Sequence, residues 1–289
     1  MIAPLSLPSA AAALAALWMV EGLSPFFVRS RSRYPHAALN LTLGALSAGV
    51  RSLFFPAALV AAATYSQKSG LSFLSLADAP PWATWVLAVP LLDFGQYAWH
   101  IASHRCPLLW RFHCVHHNDD AVDSTTAFRF HAGDAALTSA VTLLVVFLFG
   151  LSVGQVLLYE ALVLPASIFH HGNIRLPVRI ERWLGAIIVT PSLHRVHHSQ
   201  WVTETDSNYA ALFSFWDRIF GTLRRRDDGA NVRLGLEGYG ESDHRTLRGC
   251  LTTPFTAIKS LDGVDTRDAF REPDAPPKQQ LRPGVVSFP

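Results

Sequence analysis

Imidazole is the commonest side-chain ligand for first-row transition metals, and this chain gathers its histidines in one place. Eleven of thirteen lie between positions 100 and 198. Most fall in three boxes: His100-x-x-x-His104, His113-x-x-His116-His117 and His194-x-x-His197-His198. Residues three or four apart share a helix face, about 5–6 Å from each other, so each box can offer a nitrogen pair to one ion. Adjacent histidines point about 100° apart on a helix, so one member of each doublet can serve a second ion. The spacing predicts a metal centre with two metals.

Other metal chemistries fit the residues less well. Zinc peptidases need His-Glu-x-x-His, with the glutamate as base, and no such string occurs. Soluble di-iron bundles use Glu and Glu-x-x-His, which the boxes lack. The nearest acids, Asp93, Asp119, Asp120, Asp123, Asp134 and Glu160, are too irregular for a ligand set, though one can support a ligand N–H. A site of neutral imidazoles suits iron that must meet dioxygen beside an apolar substrate. Cys106, Cys114 and Cys250 show no CxxC or disulfide pattern; they read as packed thiols in a reducing compartment.

Elements must carry these boxes, and composition says in what solvent. Half of the 289 residues are hydrophobic and 16% are charged, against about 25% charged in an ordinary soluble protein. A net charge of +2 carries little about partners and nothing suggests nucleic acid. Leu5 to Val28, broken by Glu21, reads as an uncleaved span, followed by Arg29, Arg31 and Arg33, which place that end in the cytoplasm. Ala37 to Thr64 is a second span with Arg51 near its middle; a buried acid such as Asp93 is the expected partner, with a substrate headgroup as the alternative. Trp82 to about Ile101 is a third, running into the first box. Ala135 to Ser167 is too long for one crossing of a roughly 30 Å core and is expected as two short helices joined near Gly150–Gly154. Counting crossings puts all three boxes on one cytoplasmic face. The stretch Asp265 to Pro289 reads as a poorly ordered tail. Arg224–Arg226 reads as a headgroup-facing turn, with docking of a redox partner as the other role.

The run from Trp99 to His117, with Pro107, Trp110 and Arg111 between its boxes, resembles the fatty acid hydroxylase/sterol desaturase superfamily of integral-membrane di-iron oxygenases. So do Arg129-Phe130-His131, similar to that family's Arg-x-His step, and His171-Gly172-Asn173, similar to its His-x-Asn motif. The third box continues into Asn208-Tyr209 and Phe215-Trp216-Asp217-Arg218, again as in the family. The likeness covers roughly 90 to 225, and the short gap between the first two boxes separates it from acyl-CoA desaturases.

The resemblance implies an α-helical membrane enzyme with about four spans and a cytosolic helical cap. It implies two irons and dioxygen acting on a lipid C–H bond, by hydroxylation or desaturation. The ligands it implies are His100, His104, His113, His116, His117, His194, His197 and His198, with His131 and His171 as additions. The step at His131 departs from the family's usual Pro and acid by reading Ala132-Gly133-Asp134. His170 is expected as a packing neighbour, and His36 and His244 as surface residues. Asn173 and Asn208 read as ligand support or as capping and turn residues, and Trp216 and Asp217 as structural. Arg111 and Arg195 are expected to orient supporting carboxylates. Electrons would come from an external ferredoxin, rubredoxin, cytochrome or reductase. The organisation expected is an N-terminal transmembrane region over 1–80, the hydroxylase-like domain over 81–225 and a polar tail over 226–289. Two rivals share the histidines, a membrane metal-binding or transport protein and a bis-His haem protein. Transport sites usually sit near the bilayer midplane, whereas these boxes lie at and beyond span ends.

Overall fold

Four long helices form the frame of the protein, seen in a computed structural model that describes residues 6–28, 32–226, 229–236 and 245–256. Helix α1 (Ser6–Leu23) precedes them, and α2 (Arg33–Ser69) is the first of the four. A short α3 (Phe73–Leu76) turns the chain into α4 (Pro81–Arg105). Helix α5 (Pro107–His117) follows after a single residue, then a 3-10 turn at Ser124–Phe128. Helices α6 (Ala132–Phe149) and α7 (Val153–His171) complete the frame. Beyond it come α8 (Val178–Ile187), α9 (Pro191–His197), α10 (Val202–Thr205), α11 (Phe215–Ile219) and α12 (Leu247–Thr252). Among the described residues there are only two isolated β-bridges, Ile188–Phe213 and Ser199–Leu234.

Side-chain bonds fix the directions of the frame. Ser47 donates to the Phe130 carbonyl and Ser66 to that of Phe147, so α2 and α6 run the same way. Gln155 at the start of α7 meets Thr84 at the start of α4, and these two return together. The apolar core lies between the four, with Leu59 and Ala63 of α2, Ala88 and Leu92 of α4, Val146 of α6 and Val156 of α7 all buried. Burying such a side chain contributes about 1.5–3 kcal/mol. The starts of α2 and α6 and the ends of α4 and α7 therefore share one end of the bundle, where all three boxes lie.

Helices α2, α6 and α7 are long and apolar enough to cross a membrane, by length and composition. The expected Leu5–Val28 span is shorter in its apolar part, Pro8–Leu23. Helix α4 has the length, at about 37 Å for 25 residues, but Asp93, Gln96, His100 and His104 make it less apolar. The 135–167 block is a hairpin back to its starting end, as expected, yet its arms are full helices of 18 and 19 residues. The break comes from local chemistry. Gly150 closes α6 at φ 74°, and Ser152 and Gln155 form a reciprocal capping box that opens α7.

Three polar expectations change. Arg51 pairs with Glu160 of α7, donates to Ser139 and lies over the Phe55 ring. Asp93 instead accepts from Tyr159, Trp216 and the backbone N–H groups of Leu212 and Phe213, which ties α4 to α7 and α11. His36 is not a surface residue: its Nε2 lies 2.8 Å from Asp119, with the side chain 15% exposed. Beyond 225, α12 buries Cys250 against Leu43 and Val115, so part of the region read as tail belongs to the body. His244, Arg29, Arg31 and the 265–289 stretch lie outside the described residues.

Candidate metal centre

Box one ends α4, box two ends α5, His171 ends α7 and box three fills α9. Prolines set two of these helices in place. Pro107 and Pro191 occupy first-turn positions of α5 and α9, where a missing N–H costs nothing and φ is preset. Helix α5 is held at its other end by Arg129, which is 2% exposed. Its Nε donates to the Val115 carbonyl at 3.0 Å, Nη2 to Asn118 Oδ1 at 2.6 Å and Nη1 to Asn40 Oδ1 at 2.9 Å. The guanidinium thus fixes the turn that presents His116 and His117.

Two groups of imidazoles result. His100, His104, His113, His117 and His197 form one, and His116, His171, His194 and His198 the other, with ligand nitrogens within 4.8 Å of one another in each. Each doublet is divided, His116 and His198 facing one group and His117 and His197 the other. The stacked His117 and His198 rings, 4.6 Å apart, mark the boundary. Within the second group His171 Nε2 lies 2.9 Å from His194 Nε2, 3.1 Å from His116 Nε2 and 3.3 Å from His198 Nε2.

These spacings fit a cation. With metal–imidazole bonds of about 2.1 Å, two nitrogens at right angles lie about 3.0 Å apart and tetrahedral ones about 3.4 Å. Tautomers carry the point further. His100 Nδ1 sits 2.7 Å from the Tyr209 carbonyl and His197 Nδ1 2.7 Å from that of Ser207. A carbonyl only accepts, so both Nδ1 atoms carry the proton and both Nε2 atoms are bare in the neutral rings. Yet those two Nε2 atoms face each other at 3.0 Å. A metal ion between them turns lone-pair repulsion into coordination. His104 Nε2 and both ring nitrogens of His113 and His117 are buried with no hydrogen-bond partner among the described residues, so one bare nitrogen on each ring is available as a ligand atom.

Burial, reinforced by neighbouring rings, pushes His116, His117, His194, His197 and His198 well below the ordinary imidazole value. They are neutral at pH 7, the form that binds metal. The donor set therefore fits two transition-metal ions held almost wholly by nitrogen.

Nine of the ten expected ligands are brought into the two groups. His131 is not. It caps α6 by accepting the Gly133 N–H on Nδ1 at 2.9 Å, and its ring packs near Phe112 and Phe255. His170 is a neighbour as expected, its ring centroid 4.0 Å from that of His194. Asp134, one of the acids considered as a support, stands 3.6 Å from His113 Nδ1, beyond hydrogen-bond reach. Asp206, 3.4 Å from His104 Nδ1, was not anticipated, and neither were the carbonyls of Ser167, Ser207 and Tyr209, because backbone acceptors leave no residue-type signal. Arg111 meets the Pro254 carbonyl, and Arg195 meets that of Ile174 and covers Phe26, not the carboxylates expected of them. Asn173 and Asn208 are ties: Asn173 bonds the backbone of Phe27 both ways, and Asn208 joins Leu193 of α9 to Arg224. Asp217 accepts the Tyr209 and Ala210 N–H groups, so it and Trp216 are structural. Arg226 pairs with buried Glu204 at 2.9 Å.

Comparison with known proteins agrees with this geometry. Residues 85–222 match the fatty acid hydroxylase family. An ornithine lipid hydroxylase of Rhizobium tropici is 29% identical over 153 residues, 53% of this chain and 45% of that protein. An alkylglycerol monooxygenase of Caenorhabditis elegans is 29% identical over 240 residues, 76% of this chain and 44% of its own. A cholesterol 25-hydroxylase-like protein of Danio rerio is 30% identical over 158 residues, covering 53% and 61%. The chain spans less than half the length of the first two. No solved structure matches. The matched stretch contains every histidine of both groups, and the chain belongs to the fatty acid hydroxylase/sterol desaturase superfamily.

Proposed function

We propose that this chain is a multi-pass membrane oxidoreductase that uses two irons and dioxygen to hydroxylate, or desaturate, an unactivated C–H bond of a lipid. The observation that carries the reading is the pair of nitrogen-only groups, five and four imidazoles, at one end of an apolar bundle in a chain of this family. Irons there would supply dioxygen activation and hydrogen-atom removal from an unreactive C–H bond. In hydroxylation one oxygen atom enters the lipid and the other leaves as water; an external ferredoxin, rubredoxin, cytochrome or reductase provides the electrons. The nearness of this pattern to lipid hydroxylases and monooxygenases supports a fatty acyl, sterol or related substrate.

The chain's own residues position and shield. Carbonyls of Ser167, Ser207 and Tyr209 lock the tautomers of His171, His197 and His100, leaving each Nε2 free to bind. His116, His117, His197 and His198 are 2% exposed or less, which keeps bulk water from the oxidising step. On this reading the ligands are the nine grouped histidines, with His131 outside. Four spans, α2, α4, α6 and α7, with the site on the cytoplasmic face under a helical cap, agree with the arginine at 33 and the shared bundle end. Residues 1–80 would be the N-terminal membrane region, 81–225 the catalytic domain and the remainder, apart from α12, a polar tail.

Lipid mass spectrometry of cells with and without the protein, beside His116→Ala, is the test. A mass gain of one oxygen or loss of two hydrogens in one lipid class, absent with His116→Ala, is expected. Changes that persist in the variant sink the assignment. Metal flux into liposomes without oxygen consumption would instead identify a transporter.

A further inference from the structure

Helix α8, between His171 and the third box, presents an uncovered apolar face. Taking Val178 as zero and 100° per residue, Trp183, Ile187 and Ile180 point to about 140°, 180° and 200°. They are 78%, 61% and 47% exposed. Arg182 and Arg179 follow at about 40° and 100° and are exposed, as is Arg175 just before the helix. Glu181 and Gly185 occupy the remaining edge, at about 300° and 340°. That edge binds the protein: Glu181 accepts the hydroxyls of Thr190 and Ser192, and the Gly185 carbonyl accepts from Ser214 and Arg218. A Cβ at Gly185 would lie 3.5 Å from Thr190 and 3.6 Å from Leu193. Beside it α11 exposes Ile219 and its C-cap Phe220, 63% and 51%, and Phe220 packs on Phe94 of α4.

We infer that α8 lies in the plane of the membrane surface, its Ile180–Trp183–Ile187 face in the acyl boundary and its arginines on anionic headgroups. This deepens the membrane reading above and rests on it. A short helix with an apolar face, a tryptophan and a cationic flank is the pattern of an interfacial element. The charge balance agrees, since the one acid of α8 is turned inward to α9, leaving three arginines outward. Continuity agrees as well, because the apolar surface passes through Phe220 and Phe94 to a frame helix. The same inward edge holds Thr190 and Ser192 at the start of α9, so the bilayer surface would set the height of His194, His197 and His198.

Brominated-lipid quenching of the full protein in vesicles tests this. The emission that Trp183→Phe removes should be quenched more by bromines near the carbonyl end of the acyl chain than by bromines near its methyl end. Brominated phosphatidylglycerol should quench it more than brominated phosphatidylcholine, by up to about five-fold for each arginine, and Arg179→Gln/Arg182→Gln should bring that ratio toward one. A Trp183 component quenched by neither lipid, or only by deep bromines, overturns the placement. So does protection that disappears on dilution with lipid, the sign of a second copy on this face. Total emission unquenched by any brominated lipid would instead overturn the membrane reading itself, which keeps the two failures apart.

Discussion

At the scale of single residues, the division of nitrogens between two groups is open to direct test. Metal analysis of pure, fully loaded protein should give two ions per chain. His171→Ala removes one of four rings from the smaller group and should leave one ion per chain. Its affinity loss should exceed the 10–100-fold typical of outer supporting partners. His131→Ala should keep two ions, because that ring caps α6; loss of an ion there would restore the ligand role that the family likeness implied. Arg129 is the support with most at stake. Leaving a buried acceptor unsatisfied costs about 1–3 kcal/mol, and Asn118, Asn40 and the Val115 carbonyl all lose a donor. Arg129→Met should lower the melting temperature and loosen metal held by His116 and His117. Unchanged stability would mean that α5 is seated by its apolar side alone.

Among the helices, two glycines give opposite expectations from one substitution. Gly150 sits at φ 74°, and a Cβ there would lie 2.4 Å from Ser72 Oγ. Gly150→Ala should destabilise by about 1–3 kcal/mol, the cost of a side chain held in the left-handed region. Gly49, inside α2, has nothing within 4 Å of such a Cβ, and Gly49→Ala should stabilise by about 0.5–1 kcal/mol. Thermal unfolding in detergent checks both, and equal effects would refute the assigned hairpin geometry. The break at 150–154 was legible because glycine and a serine cap act within four residues. The Arg51–Glu160 pair was not, since α2 meets α7 only through the packing of the whole bundle.

For the whole molecule, acid is the revealing variable. His116, His117, His194, His197 and His198 have folded-state values pushed below the ordinary 6.5 by burial. Below about pH 6.5 these five rings therefore bind more protons in the unfolded chain than in the folded one, and their contribution to stability rises with pH across that window. It should be complete above about 6.5 and lost progressively as pH falls toward the folded values. Metal competes with protons for the same nitrogens, so loaded protein should unfold at lower pH than protein stripped by chelator. A flat melting temperature from about pH 7.5 to pH 5, or no difference on stripping, would contradict a nest of neutral imidazoles.

By itself the sequence determined the donor set. Spacing of three and four puts histidines on shared faces, and a doublet must diverge by about 100°, so two nitrogen-rich sites were legible from helix geometry alone. Family motifs supplied His171 in addition. Only the tertiary structure decided which imidazoles share a group, because the rings of each come from different helices that meet at one bundle end. It also decided that His131 caps a helix, that Asp206 and three backbone carbonyls stand behind the grouped imidazoles, and that α8 turns its apolar face outward. Contacts between residues distant in the chain follow from how helices pack, and helical periodicity is silent about that.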